Sequence, residues 1–208
     1  MSATSTALMT AEEFMELPDD DGFRYELING ELEKMPLPGP PHGRIAFRLA
    51  VHLGQFILGH ELGEGFANDT GFQLTSNPDT VLGPDFAFVT NEHFAKGRDK
   101  KGYWPGAPDL AVEVLSPSDR PGKVKQRISR WFSLGAKQLW IVDPKHSTVT
   151  VYRSLGRLQI PRRFQALITW KHKISSRVSG FRWTKSSARL PELLKKACQF
   201  RRNNEYTE

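Results

Sequence analysis

The chain has 208 residues, 38% of them hydrophobic and 25% charged, with a net charge of +6. That length suits one domain with a proper core, and the composition is that of a soluble globular protein rather than a fibrous or disordered one. A single cysteine, Cys198, rules out an internal disulfide and any cysteine-based zinc site, and points to a reducing, cytoplasmic setting.

The opening stretch "MSATSTALMTAEEF" lacks a basic start followed by an apolar run, so it does not read as a signal peptide. Thr10 and Glu13 form a capping-box pattern and predict a short helix over 11–16, with Phe14 and Leu17 on its apolar side. "FRYELINGELEKM" predicts a hairpin turning at Asn29-Gly30, a pair suited to positive φ at both central positions. Glu26 and Glu31 flank that turn, either as ordinary hairpin residues or as outer ligands of a site. After the loop "PLPGPPHG", Ile45, Leu49, Leu53, Phe56 and Ile57 recur at helical spacing and predict an amphipathic helix from His42 to about Glu61. Arg48, His52 and Gln55 interrupt it, so it cannot cross a bilayer. His42 stands where this helix begins, and free N–H groups at a helix start attract phosphate. It is either a helix-start residue or a donor or base beside a bound phosphate.

Strands are predicted at 66–74, 84–90 and 109–115. "GKVKQRISRWFSLG" predicts a helix with Val124, Ile128, Trp131 and Phe132 on one face and Gly135 at its end. "QLWIVDP" and "TVTVYR" follow as strands joined by a turn at Asp143–Ser147, and a last helix is expected near 190–200. The order from His42 to Pro144 is helix, three strands, helix, strand, an α/β layout with its sheet covered on both faces.

Charge divides the chain. Residues 155–208 hold 13 Lys or Arg against 3 Asp or Glu, a net of +10, whereas 1–154 carry 16 against 20, a net of −4. We read 1–154 as the folded domain and 155–208 as a basic extension partly packed on it. "TWKHKISSRVSGFRW" interleaves Trp170 and Trp183 with basic residues, which suits contacts to DNA, although a solvated basic tail accounts for the charge equally well.

Within "DLAVEVLSP" every neighbour of Glu113 from Leu110 to Leu115 is apolar. A carboxylate in so buried a strand requires a partner. Asp85 begins the preceding predicted strand, "GPDFAFV", so adjacent strands would set the two acids side by side at one end of the sheet. Two such carboxylates repel unless a cation lies between them, and Mg²⁺ takes one or two carboxylates while keeping waters. A salt bridge from Arg127 is the plainer alternative. Asp109, on the strand of Glu113, reads as a strand-entry residue.

"RYELINGELEKM", "PPHGRIAFRLAVHLG", "DTGFQL", "LGPDFAFV", "APDLAVEVLSPSD" and "WIVDPKHSTVTVYR" together resemble the Uma-type family of restriction-endonuclease-like proteins, in the PD-(D/E)XK nuclease superfamily. The resemblance covers about residues 8–154. It implies a restriction-endonuclease-like αβββαβ core, a central mixed sheet flanked by helices, with the N-terminal helix and hairpin added. It also implies a metal-dependent endonuclease acting on DNA, with Asp85 and Glu113 as ligands of Mg²⁺ and Mn²⁺ able to substitute. Superfamily enzymes that cut both strands often dimerise, which raises the option of a homodimer. The superfamily pattern would put Lys two positions past Glu113, but Leu115 stands there. The family's K-x-x-x-Y-x-x-x-G, aligned with its Gly on Gly135, places Trp131 at Tyr and Arg127 at Lys. Lys125 and Lys123 are alternative cations. The departure at Arg127 leaves open a nuclease-like fold that binds nucleic acid or protein without cutting; a phosphohydrolase acting on small substrates is a third reading.

Overall fold

The computed structural model describes residues 8–18, 22–68, 70–97, 101–154 and 165–167. Trp170, Trp183 and the helix expected near 190–200 lie outside them. The elements run α1 (Ala11–Met15), β1 (Phe23–Ile28), β2 (Glu31–Pro36), α2 (Pro40–Gly59), β3 (Gly63–Ala67), β4 (Phe72–Thr75), β5 (Thr80–Leu82), β6 (Phe86–Thr90), α3 (Asn91–Gly97), β7 (Trp104–Pro105), β8 (Leu110–Val114), α4 (Pro121–Ser133), β9 (Gln138–Asp143), β10 (Thr148–Arg153) and β11 (Gln165–Leu167).

Six strands form the central sheet in the order β11-β10-β9-β8-β6-β3. Among the described residues of this sheet only the β8–β9 pair is parallel, as expected where α4 makes the crossover between them. The sequence α2-β3-β6-β8-α4-β9 is the αβββαβ core. Side chains alternate across β8: Leu110, Val112 and Val114 pack beneath Ile45, Leu49, Leu53 and Ile57 of α2, while Ala111 and Leu115 lie on the other face with Trp131 of α4. Glu113 shares that second face by the same alternation.

The second face is not covered by a helix alone. Five strands in the order β2-β1-β5-β4-β7 form a second sheet, and Ile28, Leu74 and Leu82 from it join Trp131, Ala136, Leu139 and Ile141 in one cluster. The hairpin is thus part of a sheet that closes the core rather than an appendage. It forms where expected, with Asn29 and Gly30 at φ 52° and 76°. The capping box is also complete: Thr10 Oγ1 accepts from the Glu13 N–H, and the Glu13 carboxylate accepts from the Thr10 N–H.

The single strand expected over 66–74 is two strands in different sheets, β3 and β4. "NDTG" between them is a turn signal, and the ring of Tyr103 lies against Gly71, where no side chain fits. The short elements β5, α3 and β7 are additions to the predicted order. Helix α2 starts at Pro40, two residues before His42, because Pro is at home in a first helical turn. Gly135, at φ 96°, follows the end of α4 as expected. No helix among the described residues is long and apolar enough to cross a membrane.

Asp109 is a structural anchor at the entry of β8. Its Oδ2 accepts from the N–H and hydroxyl of Thr90 at 2.9 and 3.0 Å and lies 3.1 Å from His93 Nδ1. Asp109→Ala removes the acceptor that these buried donors share, and a urea titration should show a loss of about 2–3 kcal/mol.

Candidate active site

The antiparallel register of β6 on β8 pairs Phe86 with Val112, so Asp85, one residue before β6, comes opposite Glu113. Both are buried, at 4% and 7% exposure. Each carboxylate is tied down through one oxygen. Asp85 Oδ2 accepts from the Val114 N–H at 2.7 Å, and Glu113 Oε1 accepts from the Trp131 indole N–H at 2.8 Å. The other oxygens have guanidinium groups near them: Arg24 is 3.7 Å from Asp85 Oδ1, and Arg127 is 3.7 Å from Glu113 Oε2. Those distances exceed a hydrogen bond.

The electrostatics follow from this crowding. Burial pushes the Glu113 carboxyl up to about 8; Arg127 opposes the rise, while Asp85 and Glu26 add to it. Glu26 is raised as well, chiefly by burial, against the pull of Arg127 and Arg130. Burial disfavours a charged His42, but the hydrogen bond and charge of Asp85, with Nε2 and Oδ2 3.2 Å apart, outweigh it and raise its pKa. Burial also opposes the charge on Arg127, and Glu113, Asp119 and Glu26 outweigh that. The result is a buried site in which three acids, Asp85, Glu113 and Glu26, crowd against Arg24, Arg127, Arg130 and His42.

A divalent ion fits this donor set. Two carboxylates are pre-oriented by hydrogen bonds to one oxygen each, and their remaining oxygens lack a hydrogen-bond donor among the described residues. No three His, Cys, Asp or Glu side chains of the described residues converge as a ready-made cage.

Residues 11–173 match the family model described as "Uma2: Putative restriction endonuclease". The chain belongs to this family. A solved structure described as a "putative nuclease belonging to DUF820", from Anabaena variabilis, shares the Uma2 chain's fold. Its TM-score is 0.58 over 91% of this chain and 99% of that one, at 20% identity. Among curated proteins no sequence matches the chain.

Of the residues singled out in this Uma2 sequence, Asp85, Glu113, His42 and Arg127 come together. Lys125 does not join them: it is exposed, two residues from Arg127 and so on another side of α4, and lines a groove of about 1160 Å³ whose walls include His42 and Asp119 as well as Ile128, Phe132 and Tyr152. Lys123 is exposed too, and among the described residues neither lysine pairs with the two acids. The helix start beside His42 offers no free N–H groups for phosphate. Pro40 and Pro41 have none, and those of His42 and Gly43 donate to the Gly39 carbonyl. Glu31 is exposed, whereas Glu26 faces inward and lies 3.8 Å from Arg130.

Sequence reasoning missed Arg24, Arg130 and the donor role of Trp131. The last was within reach: Trp131 follows Arg127 by four residues, so both face Glu113 from one side of α4. Arg24 and Arg130 carry no such signal, because their partners are 61 and about 100 residues away in the chain.

Proposed function

We propose that this chain is a metal-dependent nuclease that hydrolyses phosphodiester bonds in DNA. The observation carrying it is the pair Asp85 and Glu113, buried opposite each other, each held by one oxygen, with no hydrogen bond to the other oxygen among the described residues. The family description supports the same chemistry, and the +10 charge of 155–208 supports an anionic polymer as substrate. The single cysteine suits a cytoplasmic setting.

Asp85 and Glu113 would hold Mg²⁺, or Mn²⁺ in its place, which supplies a polarised phosphate and a water of lowered pKa. The protein's own groups do the rest. His42 Nε2 and the Val114 N–H fix Asp85, and Trp131 fixes Glu113. Arg127, held between Glu113 and Asp119, offers a guanidinium to the charge that develops on the phosphate oxygens.

One observation favours a second reading. Arg24 and Arg127 already stand beside the two carboxylates, and a site balanced by guanidinium groups serves a nuclease-like fold that binds without cutting. Incubation with supercoiled plasmid separates the two. Nicked or linear product is expected with Mg²⁺ or Mn²⁺, none with EDTA, and none from Asp85→Asn. Retained plasmid with no cut in either metal would sink the nuclease reading.

A further inference from the structure

Helix α2 buries one face against the central sheet through Ile45, Ala46, Leu49, Leu53 and Ile57. Its opposite face is expected to be polar. Instead Phe47 is 69% exposed, Val51 37% and Leu58 68%. With Gly54 these positions are spaced four, three and four residues apart, the repeat of a helix-packing seam. A Cβ on Gly54 would meet nothing within 4 Å, so another backbone can approach closely there.

We propose that this face of α2 is the contact surface for a second copy of the chain, the two helices packing antiparallel about a two-fold axis. The stripe is complementary to itself in that register: Phe47 meets Leu58 of the other copy, Val51 meets Gly54, and Arg44 meets Glu61. All six positions lie on the solvent side of the helix or just past its end. Arg44 and Glu61 are about 25 Å apart along one helix, so opposite charges that cannot pair within a chain pair twice between two. An isologous interface requires this reciprocity, and a different partner would give no reason for it.

The patch has an apolar area on the order of 300 Å², the scale at which an exposed patch marks an interaction site. With Arg48 and Gln55 along its border it supplies roughly half of the ~800 Å² per partner in a standard interface, so the dimer is concentration-dependent. His42 lies at the start of α2, so the two candidate sites stand about 30 Å apart along the seam. The dimer carries two separate sites, and its existence does not depend on whether they cut DNA.

Sedimentation velocity of the full chain over a wide concentration range tests the seam. The wild type should pass from monomer to dimer. Phe47→Glu should raise the dissociation constant by about 30-fold or more, the cost of losing a central aromatic anchor. Because Phe47 is exposed, its thermal melt at concentrations where both proteins are monomeric should be unchanged. Arg44→Glu and Glu61→Arg should each weaken the dimer by about 10-fold, and the double variant should recover most of the loss. A wild type that stays monomeric at every concentration overturns the proposal, as does a folded Phe47→Glu variant that dimerises normally. Failure of the double variant to recover overturns the antiparallel register on which the proposal rests.

Discussion

Arg127→Ala is expected to lower DNA cleavage by about 10²- to 10³-fold while Mg²⁺ binding survives. The guanidinium lies 3.7 Å from Glu113 and 3.6 Å from Asp119, beyond hydrogen-bond distance of both. It therefore acts on charge that appears on the phosphate during the reaction, and its removal takes away a cation that would repel the metal. Arg127→Lys should keep activity or raise it, because the resemblance implies Lys at this position and a compact ammonium approaches a water more readily than a guanidinium does. The check is a pair of measurements on each variant, single-turnover cleavage and calorimetric metal binding. Loss of metal binding in Arg127→Ala would show that the residue shapes the carboxylate pair instead.

Glu113→Gln should make the metal-free protein more stable above neutral pH and abolish its response to Mg²⁺. The folded-state pKa of Glu113 lies near 8, above the 4.5 of an ordinary glutamate, so between those values the native state holds a proton that the unfolded state has released. Stability therefore falls as pH rises through that window and levels off above about 8. Each pH step of one within it is worth about 1.4 kcal/mol, so the wild type gives up a few kcal/mol across the whole window. Glutamine keeps the shape and the acceptor for Trp131 but has no proton to lose, so its stability should decline less than the wild type's, the remaining slope coming from His42 and Glu26. Denaturant titrations at pH 6 and pH 9 measure this directly. A Glu113→Gln variant much less stable than the wild type at pH 9 would mean that the charge on Glu113 stabilises the fold through Arg127, as a structural ion pair.

Features whose causes are local are the ones visible in the sequence. The Thr10–Glu13 box and the Asn29-Gly30 turn depend on neighbouring residues, and both form as expected. Glu113 is conspicuous because an acid in an apolar strand requires a partner, and Asp85 because it opens the strand predicted before that one. What escapes is non-local. Nothing in "FRYELI" tells which face of the hairpin is buried, since that depends on the second sheet, so Arg24 could not be placed beside the two acids and Glu26 stood only as one of two readings. The split of 66–74 is signalled by "NDTG" but masked by the apolar residues on either side. Pro40-Pro41 reads as loop, although a proline pair also suits a first helical turn, and this hides the loss of the free N–H groups there.

Titrating the full chain with Mg²⁺ at pH 7 in two buffers of different ionisation heat measures both the affinity and the protons released on binding. Glu113, pushed up to about 8, is mostly protonated before the cation arrives, and a metal ligand must be deprotonated. Binding with release of close to one proton per ion is expected, together with its loss in Asp85→Asn. Absence of binding, or binding that releases no proton and persists in Asp85→Asn, would contradict a metal site built on Asp85 and Glu113.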